Sequence, residues 1–135
     1  ENLTQLISGD PLLLEIKYSS EINLTGNMIL SVAFMDGYGN VKAIFVTDEM
    51  GVKFENMEKS GTVYLKIPEL LLRADIYSIK LFAGLNGTES ENILDSIENV
   101  MNIQVLPGDY WKTGRQNRAG SYGLMAGQFY KWFEK

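Results

Sequence analysis

Apolar and polar residues alternate with a period of two along most of this chain, in runs too short for anything but β-strands. PLLLEIKY (residues 11–18) puts Leu12, Leu14, Ile16 and Tyr18 on one face and Leu13, Glu15 and Lys17 on the other. GTVYLKI (61–67) turns Val63, Leu65 and Ile67 inward and Thr62, Tyr64 and Lys66 outward. DIYSIKLFAGL (75–85) buries Tyr77, Ile79, Leu81 and Ala83 and presents Ser78, Lys80 and Phe82; VMNIQVL (100–106) does the same with Met101, Ile103 and Val105 inside. NMILSVAFM (27–35) follows a turn at Thr25-Gly26-Asn27, and DGYGN (36–40) joins it to VKAIFVT (41–47) as a hairpin. LTQLI (3–7) reads as a short edge strand. Only ESENILDSIENV (89–100) has helical spacing, through Ile93, Ile97 and Val100, and is expected to form one or two turns in a loop. Seven or so short strands with regular turn signals predict an antiparallel β-sandwich of immunoglobulin-like or jelly-roll type.

One stretch breaks this rhythm. LPGDYWKTGRQNRAGSYGLMAG (106–127) is rich in glycine and reads as a flexible connection, with Tyr110 and Trp111 anchoring its root by burial. GQFYKWF (127–133) then alternates as a candidate last strand. The expected organisation is a sandwich body over residues 1–106 and an arm over 107–135, either part of the same domain or lent to a second copy. Phe129, Tyr130, Trp132 and Phe133 are the expected dimer-interface residues.

Charge follows the same division. The chain carries a net charge of −5, but from Leu106 onward five basic residues face two acidic ones, so the body is the more acidic part at −8. An acidic body with a short basic tail does not supply the concentrated basic face of a nucleic-acid groove. Histidine and cysteine are both absent, which removes the commonest general base, thiolate chemistry and disulfides. No apolar run approaches the roughly 20 residues that span a bilayer, so a soluble domain is expected. The start, ENLTQLISGD, has no signal-peptide character and no initiator Met, and the chain is expected to be an excised domain or mature fragment.

Few residues point to chemistry. Asp36 and Asn40 in DGYGN are oxygen donors, but the further acidic positions of a calcium loop are missing, and Gly37 and Gly39 are better explained as turn residues. Asp48-Glu49 and Glu89/Glu91 supply loop carboxylates for a two-carboxylate glycosidase, the weaker reading. No phosphate-binding glycine loop is present, and no cofactor is expected. The Asn-x-Thr triplets at Asn2, Asn23 and Asn86 are treated as chance matches. Outward-facing Phe82 says more. It lies on the same strand face as Ser78 and Lys80; a neighbouring last body strand would add Asn102 and Gln104, and residues 27–35 on the other side would add Ser31. An aromatic ring among amide, hydroxyl and ammonium groups suits a sugar, whose C–H face packs on the ring while its hydroxyls hydrogen-bond. The alternative is that a loop or the arm covers Phe82. Tyr64 and Lys66 form a similar, weaker set.

The order and spacing of SGDPLLLEIKY, MILSVAFMDGYGNV, IPELLLRADIYSIKLFAG and ILDSIENVMNIQVLPGDYW resemble a known family. It is the C-terminal carbohydrate-binding domain of the ATPase subunits of O-antigen polysaccharide ABC transporters, the Wzt type. The match spans nearly the whole chain and departs at Arg73-Ala74-Asp75-Ile76-Tyr77, which lacks the family's glycine before the strand. The resemblance implies a non-catalytic domain behind a nucleotide-binding domain at the cytoplasmic face of the inner membrane. It would recognise the non-reducing end of a lipid-linked O-polysaccharide for export through the membrane subunit, and would form a homodimer by exchanging its C-terminal strand. A structural or adhesive immunoglobulin-like module of a surface protein is the alternative.

Overall fold

The computed structural model describes residues 3–120, 122–124 and 131–134. Its strands are β1 (Thr4–Ile7), β2 (Leu12–Ser19), β3 (Leu24–Met35), β4 (Val41–Val46), β5 (Phe54–Met57), β6 (Ser60–Ile67), β7 (Asp75–Leu85) and β8 (Ile93–Leu106). They build two sheets. The larger runs β1-β8-β7-β3-β4, with β5 also paired to β3; the smaller is the β2–β6 pair. Every pairing is antiparallel except β1 with β8. The fold is the all-β sandwich that the alternation predicts.

The period-two pattern sets which residues meet between the layers. In the small sheet, Leu12, Leu14 and Ile16 stand opposite Ile67, Leu65 and Val63, with Glu15 opposite Tyr64 on the outer face. The inner row packs on Val32 and Phe34 of β3, Tyr77 and Ile79 of β7, and Ile103 and Val105 of β8, with Leu70 and Leu72 from the β6–β7 connection. Phe34, Tyr77, Ile103 and Val105 are almost wholly buried, and each stabilises the fold by about 1.5–3 kcal/mol relative to exposure. Phe34 also meets Phe45 edge-on, with ring centroids 6.3 Å apart. Tyr77 brings a hydroxyl into this core and donates it to the Arg73 carbonyl at 2.7 Å. Burial pushes its phenol up to about 12, with smaller contributions from the Asp75 and Asp36 charges.

Three expectations are corrected. Residues 89–100 form no helix beyond a 3-10 turn at Ser90–Asn92; from Ile93 onward they belong to β8. Ile79 pairs with Met101 and Leu81 with Ile97, so three residues of β8 stand opposite Lys80 alone, a bulge. Beside this bulge Met101 is 38% exposed rather than inside. β5 forms although its sequence, FENM, shows no alternation.

The third correction concerns the arm, whose described residues up to Leu124 lie on the body instead of forming a free tether. Tyr110 and Leu124 are buried. The Asn117 side-chain amide donates to Ser8 Oγ at 3.3 Å, the Gly120 amide to the Ala74 carbonyl at 3.0 Å, and the Leu124 amide to the Leu71 carbonyl at 3.3 Å. Gly123 forms an antiparallel bridge with Leu72. Gly108 passes so close to the Ser8 carbonyl that any side chain there would collide with it. Tyr110 anchors the root as expected, whereas Trp111 stays 36% exposed. Of the expected last strand, Phe129 and Tyr130 lie outside the described residues, and residues 131–134, including Trp132 and Phe133, have no strand structure and are exposed.

Candidate functional site

The outer face of the large sheet collects the residues that the strand pattern turned outward. Ser31 of β3 stands directly opposite Phe82 of β7, which stands opposite Ser96 of β8. One step along, Lys80 faces Ala33, and beyond it Ser78 lies between Met35 and Asn102. Gln104 pairs with Ile76 at the far end, where the Gln5 side-chain amide donates to Gln104 Oε1 at 3.2 Å. All six residues singled out for this face thus share it: Ser31, Ser78, Lys80, Phe82, Asn102 and Gln104. Tyr64 and Lys66 lie on the outer face of the small sheet and do not join them.

Phe82 is half-buried. Its ring edge reaches over Gly84, two residues on, within 3.2 Å of where a side-chain carbon there would sit. The ring therefore lies back along its own strand, over a residue that has no side chain to prop it up. Ala33, small and buried, leaves the sheet low beside Lys80. A ring lying along the sheet, on the same face as hydroxyl and ammonium groups, makes a shelf on which a sugar ring can stack.

Farther along the same face, toward the β3–β4 hairpin, lies a hollow of about 320 Å³. Met35, Asp36, Ile76, Ser78, Lys80, Glu98 and Asn102 line it, together with Gly37 and Gly39. The hairpin forms its wall because Asp36 ties the turn together: Oδ1 accepts the Tyr38 and Asn40 amides, both at 2.9 Å, and Gly39 takes the positive φ the turn needs. Although Asp36 is only 6% exposed, its carboxyl is held below the usual carboxylate range. The Asn40 amide contributes most, helped by the Tyr38 amide, the Asn40 side chain and the Lys42 charge, against the opposing effect of burial. The role of Asp36 in DGYGN is thus that of a turn-forming group. Opposite the hairpin, the β8 bulge brings Glu98 to Lys80, whose Nζ lies 3.7 Å from Oε1. Such an exposed pair adds little stability, but it fixes where the ammonium sits.

Asp36 and Glu98 line the hollow without being among the face residues that the strand pattern singles out. Asp36 could have been found by placing the hairpin against the end of the shelf. Glu98 could not, because its position depends on the bulge. The loop carboxylates Asp48, Glu49, Glu89 and Glu91 are not part of the hollow.

No family model and no curated protein matches the chain. Among solved structures, the crystal structure of the C-terminal domain of Wzt superposes with a TM-score of 0.65 at 7% sequence identity, covering 95% of this chain and 74% of that one. At that identity the likeness is one of architecture: this chain is a β-sandwich similar in fold to the Wzt C-terminal domain.

Proposed function

We propose that this chain is a non-catalytic carbohydrate-binding module that recognises the non-reducing end of a lipid-linked O-polysaccharide and commits it to export by an ABC transporter. The observation that carries the reading is the outer face of the large sheet, where Ser31, Ser78, Lys80, Phe82 and Asn102 stand together, with the hollow at the Ser78, Lys80 and Asn102 end of that face. Gln104 extends the same face. The likeness in fold to the Wzt C-terminal domain supports the transporter setting: a nucleotide-binding domain and a membrane subunit as partners, at the cytoplasmic side of the inner membrane. Among the described residues, no helix is long and apolar enough to cross a membrane.

A shallow shelf of this kind binds weakly, because each sugar hydroxyl gives up water to reach it. Two copies side by side would raise the effective affinity for a long glycan without new contacts. We place the second copy through the C-terminal segment, with Phe129, Tyr130, Trp132 and Phe133 at the interface. Two features favour this. Among the described residues the small sheet has two strands, and an apolar gap of about 340 Å³ involving Phe34, Ala43, Phe45, Met50 and Ile67 lies between the β4 and β6 layers. The arm reaches Leu124 running antiparallel to Leu71 and Leu72 of the β6–β7 connection, which borders that gap.

The test is binding of the source organism's O-polysaccharide to the isolated chain and to Phe82→Ala and Lys80→Ala. Loss of ring stacking is worth about 1 kcal/mol, so Phe82→Ala should raise Kd by roughly fivefold; Lys80→Ala should also weaken binding, and thermal unfolding should show both variants folded. Unchanged binding in both would remove the shelf as the site, and no binding by the parent chain would remove the function.

A further inference from the structure

The hollow carries more carboxylate than ammonium. Among the described residues, Asp36 and Glu98 line it with one cation, Lys80, and the other polar lining groups, Tyr77, Ser78 and Asn102, are uncharged. Lys80 already has a counter-charge, with Glu98 Oε1 3.7 Å from its Nζ. Asp36 is locked in place by two backbone amides at 2.9 Å and keeps its charge. Lys42 acts on Asp36 from nearby without lining the hollow, and Asp75 adds negative charge to the same neighbourhood through its effect on Tyr77. The surrounding body is acidic as well, so its field has the same sign as the two lining carboxylates.

We infer that this hollow takes an uncharged sugar residue and rejects an acidic one, with the exposed Glu98 carboxylate accepting hydrogen bonds from ring hydroxyls and Asp36, bonded within its turn, adding fixed negative charge. A hydroxyl that donates to a carboxylate makes a charge-assisted bond, stronger than one between neutral groups. A hexuronate or phosphorylated sugar in the same place would set its charge beside two like charges, with the one available ammonium already paired, and that juxtaposition is repulsive. Met35 and Ile76 supply apolar surface for the sugar's C–H groups. The inference deepens the carbohydrate-binding reading and rests on it.

Matched oligosaccharides ending in a neutral hexose or in the corresponding hexuronic acid, titrated into the full chain, test it. The neutral probe should bind at least about tenfold more tightly. Glu98→Gln, at an exposed site where folding is not at risk, should weaken the neutral probe, strengthen the acidic one and so narrow the ratio. Equal binding, or preference for the acidic probe, would overturn the selectivity while leaving carbohydrate binding intact. A ratio unchanged by Glu98→Gln would overturn it too, since the discrimination would then arise elsewhere. If no neutral or acidic probe binds, the inference falls together with the reading beneath it.

Discussion

Tyr77 is where one side chain most clearly serves two purposes. Its ring sits in the core between the two sheets, and its hydroxyl satisfies the Arg73 carbonyl at the point where the chain turns into β7. Tyr77→Phe keeps the ring and leaves that carbonyl without its partner, which should cost about 1 kcal/mol in urea unfolding. The phenol also ties stability to pH. Its folded value of about 12 lies above the ordinary value of 10.0, so the unfolded chain loses the proton first. The contribution is complete below pH 10, falls as pH rises from there, and is gone above about 12. The stability difference between the parent chain and Tyr77→Phe should therefore shrink over that window, and a difference independent of pH would contradict the assignment. The outward placement of Phe82, Lys80 and Ser78 was legible in the sequence, since strand parity alone decides it. The contribution of Glu98 was not, because parity says nothing about a bulge.

At the scale of elements, β8 shows why part of the fold escaped the sequence. Ile93, Ile97 and Val100 fall at i, i+4 and i+7, which is helical spacing. Ile97 keeps the strand's parity, whereas Val100 lies in the bulge opposite Lys80 and supplies the false third position. The arm escaped for a different reason. Its glycines signal flexibility in isolation, but what fixes it is distant in sequence: Arg73 Nε donates to the Gly123 carbonyl at 3.2 Å, Nη1 reaches the Arg118 carbonyl at 3.4 Å, and the guanidinium lies 5.3 Å from the Tyr122 ring centroid. Arg73 thus clamps the arm to the body. Arg73→Ala should speed tryptic cleavage after Arg115 and Arg118 several-fold while lowering global stability by no more than about 1 kcal/mol. Cleavage at the parent rate would show that the clamp holds nothing. Gly108→Ala, which drives a methyl group into the Ser8 carbonyl, should destabilise by about 1–3 kcal/mol in the same unfolding measurement.

For the whole molecule, two strands facing a larger sheet leave apolar surface open at the sides of the small layer. Beside β2, a cleft of about 430 Å³ is bordered by Ile16, Tyr18, Leu30 and Leu81 and also touches Ser31 and Phe82; beside β6 lies the gap proposed for an exchanged strand. If the C-terminal segment joins two copies, sedimentation should give a dimer for the full chain and a monomer for a chain ending at Leu124. A monomeric full chain would remove the exchange without touching the shelf. The layered architecture was open to sequence reading because each strand carries its own alternation; the unequal sheets were not, because pairing between distant strands leaves no local mark. The measurement that bears most directly on sugar recognition is backbone and side-chain NMR of the chain titrated with its organism's O-polysaccharide. Shifts should concentrate on Ser31, Ser78, Lys80, Phe82 and Asn102 and extend to the 36–40 hairpin. Shifts confined to the outer face of β2 and β6, or no shifts at saturating glycan, would contradict it.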